Sequence, residues 1–551
     1  MKNNDYQNWS KTDLIKEIGR LKKRKKYGLV WEDKPEDVVE LCKEKLPVVK
    51  EVKNKEIITD KNKPVNLLIE GDNYHSLSVL NYTHERKVDV IYIDPPYNKG
   101  NVNVRDFIYN DKIVDEEDPY RHSKWLSFMQ KRLILAKNLL KNTGLIFISI
   151  DDTEMAELKL VMDEIFGEQN LLANLIWRGM HTVRNSSKDF NQNTEYILCY
   201  TRSKTALIEA GDPNTYLRVP KDKTDDYPFD DHDGRGSYKL DPLYARNYYK
   251  PYTYKFKNGV IWKAPRGNYP RYSVETLKEM EKNGEIVFRG KEPKAKRYLK
   301  DVQEGVPPNT LLDNELVGFN KDGTTELLEL FGNKKVFDQP KPVSLIKYLL
   351  SIKNKKMDYR NLIILDFMAG SGTTGHAVLE LNKEDGGNRQ FIVCTNNENN
   401  ICTDVCYPRI KKVIEGYENL KGEKIEDLGG NLKYFKTDFV DYDAPTDKNK
   451  IKLTNQATEM LCIKEGTFEE VLDKKYFKIF KNNSHYTGII FDQLAIPKFK
   501  EEIKDIRGKF SVYVFSLSDE TFDEEFTDVK QKIKLSPIPE AILRVYRRIF
   551  R

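Results

Sequence analysis

The chain has 551 residues, with 92 Lys and Arg against 86 Asp and Glu, 39% hydrophobic and 32% charged. At roughly 150 residues per domain, the length predicts three to four domains, and the composition excludes wholesale disorder. No apolar run approaches the ~20 residues needed to cross a bilayer, the N-terminus lacks a signal-like apolar stretch, and six cysteines do not make a disulfide framework. The expected setting is therefore cytoplasmic and reducing, with no membrane. A net charge of +6 is too small to name a partner, so the position of the basic residues matters more than their sum.

Residues 1–55 read as a charged helical segment containing the basic run Arg20–Lys26, RLKKRKK. Such a run is either a solvated helix end or a phosphate contact. From 56 to 205 short apolar runs alternate with helical periodicity. Asn66–Glu70 (NLLIE), Val88–Ile93 (VDVIYI) and Leu145–Ile150 read as buried strands, and Trp125–Leu140 as a helix. That alternation predicts βαβ units on a parallel sheet. A second stretch of the same kind, 336–425, holds strands at Asn361–Asp366 and Phe391–Thr395. Between them, 206–335 lacks this rhythm and reads as an inserted domain. Residues 426–551 read as a smaller α+β domain of short strands (Tyr476–Phe480, Gly488–Phe491, Phe510–Phe515) and charged helices.

The strand VDVIYI runs into Asp94-Pro95-Pro96-Tyr97. Two prolines cannot continue a ladder, so the chain leaves the sheet rigidly at its carboxyl end, where open α/β sheets bind ligands. The Asp94 carboxylate and the Pro95 carbonyl are acceptors for an exocyclic amino group, and Tyr97 offers a face for a planar base to stack on. Accepting both amino hydrogens favours a pyramidal nitrogen, which localises its lone pair in the transition state. The plain alternative is a strand-ending turn, which Asp-Pro pairs commonly form.

The strand NLIILD leads into FMAGSGTTG, where Gly370, Gly372 and Gly375 make a G-x-G-x-x-G. A P-loop is excluded, because His376 stands where its lysine belongs. A nicotinamide site wants an acid at the end of the next strand, where FIVCT ends in Thr395 and Glu398 is the nearest carboxylate. What remains is a loop where a ligand can approach the backbone at a helix N-terminus. Asn66–Asn73 is another strand ending in Gly71-Asp72, either a simple turn or an acceptor for an adenine amino group.

LIEGDN, then DPPYN, then FMAGSGTTG, with HSKWLSFMQKRL, FISIDD, TEYILCYTR and ELLELFGNKKVFDQPKPVSLIKYLL between and around them, resembles a permuted β-class S-adenosylmethionine-dependent DNA amino-methyltransferase. The opening KKRKKYGLVWE and the ending PIPEAILRVYRRIFR extend the resemblance to Mod subunits of type III restriction-modification systems. The resemblance implies a Rossmann-like α/β methyltransferase sheet with permuted motif order and a target-recognition domain inserted at 206–335. It implies methylation of adenine N6 in duplex DNA after base flipping, a homodimer, and a Res helicase-nuclease partner. On that resemblance Asp94, Pro95, Pro96 and Tyr97 hold the target base. Asp366, Phe367, Ala369, Gly370, Gly372 and Thr373, with Lys341 and Ser344, surround S-adenosylmethionine; Asp72 meets its adenine, and Asn396, Asn397 or Glu398 substitutes for the ribose-binding acid where Thr395 stands. Cytosine-N4 or RNA methylation, a solitary methyltransferase and a silent DNA-binding subunit are the alternatives.

In the inserted region, Tyr238 to Tyr272 holds ten aromatics, eight Lys or Arg, and one acid, Asp241. That density suits phosphate contacts with stacking, with Tyr249, Lys250, Tyr252, Lys255, Trp262, Lys263, Arg266 and Arg271 as candidates, or else a Tyr-rich β core with exposed lysines. Cys402 and Cys406 lack a second ligand pair at zinc spacing, and no metal site is expected.

Overall fold

The computed structural model describes residues 10–12, 31–100, 107–182, 190–211, 216–220, 224–301, 305–352, 354, 357–442, 446–518, 520, 522–529 and 532–550. The basic run Arg20–Lys26 lies outside the described residues. The chain forms two compact units, one from residues 1–216 with 309–551 and one from 217–308.

Among the described residues the larger unit is built on a nine-stranded sheet. Its strands in chain order are β1 (Lys45–Glu51), β2 (Val65–Glu70), β3 (Val88–Ile93), β4 (Leu140–Ile150), β5 (Leu171–Trp177), β6 (Glu195–Thr201), β7 (Ile363–Asp366), β8 (Gln390–Thr395) and β9 (Asn431–Asp441). They lie in the order β1-β9-β2-β8-β7-β3-β4-β6-β5. The six from β9 to β4 run parallel, and β1, β6 and β5 are antiparallel to their neighbours. Parallel strands are covered on both faces, which is why VDVIYI is buried at every position. Leu67, Ile69, Ile91, Ile93, Leu365 and Ile392 share one core with Trp125, Met129 and Leu133 of helix α1 (Arg121–Leu139). The β3 and β7 strands pair directly, Val90 with Ile364 and Ile91 with Leu365. The two motifs read from the sequence thus end on neighbouring strands.

The expected domain limits differ from the structure at three places. Lys45–Glu51 is a strand of the main sheet, not part of a helical segment, because Leu46–Val49 is an apolar run buried at all four positions. The inserted unit spans 217–308 rather than 206–335. Helices α2 (Asn320–Leu330) and α3 (Val343–Ser351) belong to the larger unit, burying Leu327, Leu330, Leu345, Ile346 and Leu349. Beyond residue 425, β9 pairs with both β1 and β2, so the main sheet takes a strand from the expected C-terminal domain. The rest of that region forms a five-stranded sheet from Glu469–Lys474, Phe477–Lys481, His485–Ile490, Lys509–Phe515 and Ile533–Ile538.

The smaller unit contains a three-stranded antiparallel sheet (Tyr238–Pro242, Ile286–Arg289, Glu292–Tyr298), a hairpin of Thr253–Lys255 with Ile261–Lys263, and the helix Val274–Lys282. Its core is Leu243, Tyr254, Phe256, Trp262, Leu277, Met280 and Ala295.

Candidate active site

The Asp94–Tyr97 turn emerges from β3 into a network of charged groups drawn from distant parts of the chain. The Tyr97 hydroxyl lies 3.0 Å from Asp94 Oδ1 and 2.9 Å from Glu195 Oε2. Lys341 Nζ donates to the Tyr97 oxygen at 2.9 Å, and lies 3.1 Å from Asp94 Oδ1 and 3.2 Å from Glu195 Oε2. Asn320 Nδ2, on the first residue of α2, donates to Glu195 Oε1 at 2.8 Å. The turn is held from below as well: Trp125 Nε1 donates to the Pro96 carbonyl at 2.7 Å. Buried Asn98, in the left-handed region at φ 59°, donates to the buried Glu154 carboxylate.

The electrostatics of this network are uneven. Burial raises Asp94 above the usual carboxylate range despite the opposing Lys341 ammonium. Burial acts the same way on Glu195, but there Lys341, with hydrogen bonds from Asn320 and Tyr97, wins and holds it below that range. Lys341 is buried, which disfavours its charge, yet the two carboxylates raise it well above an ordinary lysine. It stays an ammonium.

The glycine loop lies beside this turn. Asp366 is the last residue of β7. Its carboxylate accepts from Thr374 Oγ1 at 2.5 Å and from the Met368 amide at 3.0 Å. Burial pushes it up to about 7, with nearby Asp94 adding to the effect. Gly370 takes φ 51°, and a side chain there would bring a Cβ to 3.1 Å from the Phe337 ring. A cavity of about 920 Å³ is lined by Asp94, Pro96 and Tyr97 from one motif and Phe367, Met368 and Gly370 from the other. Asp72, Asn73, Thr395, Asn396 and Glu398 line it too. Asp72 caps the helix Asn73–Thr83, its Oδ1 accepting from the Tyr74 amide at 2.7 Å. Asn397 does not face the cavity; its Oδ1 accepts from the amides of Cys402 and Thr403. A second cavity of about 600 Å³ is lined by Glu195, Asn193, Asn320, Asp151 and Asp152, and Lys99 and Gln339 line both.

Several sequence candidates lie elsewhere than expected. Lys341 sits against Asp94 and Tyr97. Ser344 donates to the Val317 carbonyl at 2.9 Å, and Thr373 Oγ1 accepts from Arg409 Nη1 at 2.8 Å, so both hydroxyls are engaged within the protein. Asp366, Ala369 and Gly372 brace the loop: Asp366 accepts from Thr374, the Ala369 amide donates to the Cys394 carbonyl, and the Gly372 amide donates to the Ala369 carbonyl. In the smaller unit Tyr249, Lys250, Lys255, Lys263 and Arg266 are exposed. Trp262 is in the core, and the Tyr252 hydroxyl donates to the Tyr272 carbonyl. Alternation along Ile261–Lys263 turns Trp262 inward, which removes it as an exposed contact. Arg271 is exposed but paired with Asp241 at 3.1 Å.

The structure also brings in residues the sequence reading missed. Glu36, Asp37 and Phe337 line the larger cavity, as does Arg132, whose guanidinium is fully buried. Arg132 Nη2 lies 2.6 Å from Glu36 Oε1 and 3.5 Å from Asp72 Oδ2, and its guanidinium carbon 3.7 Å from the Phe128 ring centroid. A signal existed: Trp125, Met129, Arg132 and Ala136 fall on one helical stripe, so Arg132 occupies a core position in α1.

The sequence profile of the DNA methylase family matches residues 88–405, which contain both motifs. The chain is 37% identical to the type III restriction-modification enzyme StyLTI Mod subunit of Salmonella typhimurium, over 63% of this chain and 55% of that one. It is 30% identical to the EcoP15I Mod subunit of Escherichia coli, over 59% of this chain and 58% of that one. It is 31% identical to the type II methyltransferase M.KpnI of Klebsiella pneumoniae, over 65% of this chain and 89% of that one. The match thus spans little more than half the length of the two Mod subunits and most of M.KpnI.

Proposed function

The chain belongs to the DNA methylase family, and from that premise we propose that it transfers a methyl group from S-adenosylmethionine to adenine N6 at a specific site in duplex DNA. One observation carries this reading: the Asp94–Tyr97 turn and the Gly370 loop open onto a single cavity. The donor set suits the cofactor. Among the described residues, carboxylates outnumber cations in the lining: Glu36 pairs with Arg132 and Asp338 with Lys335, Lys99 is the remaining cation, and Asp37, Asp72, Asp111 and Glu398 leave an acidic excess, matched to a sulfonium and an ammonium. Gly370 allows close backbone approach, and Asn396 and Glu398, which line the cavity, are the candidates to bind the ribose hydroxyls. When bound, S-adenosylmethionine supplies a methyl group on positively charged sulfur.

The residues then position and polarise. The target adenine is flipped out of the duplex at a cost of a few kcal/mol, which stacking on Tyr97, about 1–3 kcal/mol, offsets in part. Asp94 and the Pro95 carbonyl accept the amino hydrogens and aim the nitrogen lone pair at the methyl group. The DNA contacts fall to the exposed residues of the smaller unit, Tyr249, Lys250, Lys255, Lys263 and Arg266.

Similarity to Mod subunits supports a role as the modification and specificity subunit of a type III system, dimeric and partnered by a Res helicase-nuclease. The 89% coverage of M.KpnI favours a second reading, a methyltransferase acting without that partner. The test is nucleoside analysis of duplex DNA incubated with the chain and methyl-labelled S-adenosylmethionine. N6-methyladenine from the wild type and none from Asp94→Ala is the expected result. N4-methylcytosine would move the target, and specific DNA binding without any mark would leave a binding subunit. Co-purification with a helicase-nuclease chain, and sedimentation as a dimer, separate the two assembly readings.

A further inference from the structure

Lys341 has three N–H donors, and three oxygens stand around it at 2.9, 3.1 and 3.2 Å: Tyr97 Oη, Asp94 Oδ1 and Glu195 Oε2. Its ammonium is fully engaged. The Tyr97 hydroxyl has one hydrogen and two carboxylates within reach, at 3.0 and 2.9 Å, so it serves one at a time. Asp94 Oδ1 is fixed by Lys341 and Tyr97, which leaves Oδ2 for the target. Two carboxylates share one ammonium, and the set carries one negative charge in excess when both are ionised.

We propose that Glu195 and Lys341 are positioning residues of the methyl transfer, setting the charge on Asp94 so that it accepts the proton the reaction releases. The inference rests on the reading of the chain as an amino-methyltransferase. The amino nitrogen uses its lone pair to form the N–CH3 bond while the methyl–sulfur bond breaks, its electron pair going to sulfur. The nitrogen then holds one proton too many. That proton passes to Asp94 Oδ2, the carboxylate becomes a carboxylic acid, and water takes the proton when product leaves. Protonation brings the buried set to neutrality, and the Tyr97 hydrogen turns from Asp94 to Glu195, which stays ionised. Lys341 keeps Asp94 ionised beforehand; Glu195 supplies the surplus charge that makes Asp94 a competent base rather than a quenched ion pair. Asn320 holds Glu195 from its far side. The other groups near the pair are Tyr92, kept neutral by burial and bonded to Ser149, Asp366, whose carboxyl is raised in part by Asp94, and Lys99, 5.3 Å from the Tyr97 ring centroid and 2.9 Å from Asp151 Oδ2. Among the described residues, Asp94 Oδ1 is met by Lys341 and Tyr97.

Two readouts test this on the full chain. The first is the titration of Asp94 in the protein alone, taken as the carboxyl infrared difference between each form and its Asp94→Asn counterpart. Removing a like charge in Glu195→Gln shifts the midpoint down by about one unit or more, and removing the opposite charge in Lys341→Met shifts it up by a similar amount. The second is the pH profile of kcat for methylation of duplex DNA. Its acid limb follows the same two directions, with KM for the cofactor within about twofold of wild type and Lys341→Arg restoring the wild-type position. If Lys341→Met does not fold, Lys341→Arg and Glu195→Gln carry the comparison. Equal loss of kcat at every pH, with an unmoved Asp94 titration, overturns the proposal and leaves a structural role. An absence of methyl transfer by the wild type counts against the parent reading, while the infrared titration still decides whether the network sets Asp94.

Discussion

Asn98, the residue that follows the Asp94–Tyr97 turn, donates its side-chain amide to the carboxylate of Glu154, which is completely buried and also meets His122 Nδ1 at 2.6 Å. Burial pushes Glu154 up to about 7, against the lowering effects of Asn98 and His122. A raised carboxylate binds its proton in the fold at pH values where the unfolded chain has lost it. Stability therefore falls as pH rises from about 4.5 to about 7, by up to about 3 kcal/mol. Glu154→Gln keeps an acceptor for Asn98 and removes the titration. Its urea-unfolding free energy should decline less than that of wild type between pH 5 and 7.5; parallel curves would sink the assignment.

The Arg132 guanidinium and Glu36 form a buried ion pair at the cavity wall. Removing one partner strands the other charge, at about 3–5 kcal/mol. Arg132→Met should lose about that much in denaturant unfolding and raise the dissociation constant for S-adenosylmethionine. Adding Glu36→Gln to it should recover most of the stability. A double-mutant cycle with no coupling would show that the pair contributes nothing.

The Asp94 turn and the Gly370 loop were legible because each combines a uniformly apolar strand with residues that must end it. Glu195 was not. In TEYILCYTR it is simply the first residue of a strand, and it reaches the site only because β6 runs antiparallel to β4, pairing Tyr196 with Ile150 at the end of β4. The contact of Lys341 with Tyr97 is not legible either, since it spans 244 residues of sequence. Trp262 was misread for a different reason. Aromatics interleaved with lysines look alike whether they alternate across a strand or share a surface, and the hairpin register decides. The boundary at 425 differs because a strand that returns to a sheet from far along the chain, here between β1 and β2, carries no motif of its own.

Gly370 sits at φ 51° with Phe337 against it. Alanine there pays a left-handed backbone cost of roughly 1 kcal/mol and presses on the ring that lines the cavity. Gly370→Ala should weaken S-adenosylmethionine binding about tenfold by calorimetry, a loss of about 1.4 kcal/mol, with little change in melting temperature. Phe337→Leu in the same chain should restore part of it. If affinity is unchanged, the cofactor does not pass this loop.

Lys255 and Lys263 lie on the exposed face of the hairpin, where Thr253 pairs with Lys263 and Lys255 with Ile261. A two-stranded ribbon of this kind fits the major groove of DNA, and its lysines reach phosphates. Each lost phosphate contact lowers the slope of log K against log salt by about 0.9. Lys255→Ala and Lys263→Ala should each flatten the slope by that amount in fluorescence anisotropy with a labelled duplex, weakening binding to all sequences alike. Trp262→Ala acts differently: its ring is in the core of the unit, and its loss should cost about 3–5 kcal/mol of stability, visible as a lower unfolding midpoint. Unchanged salt slopes for both lysine variants would place the DNA on another face of the unit, and the exposed Tyr249, Lys250 and Arg266 would be the next to substitute.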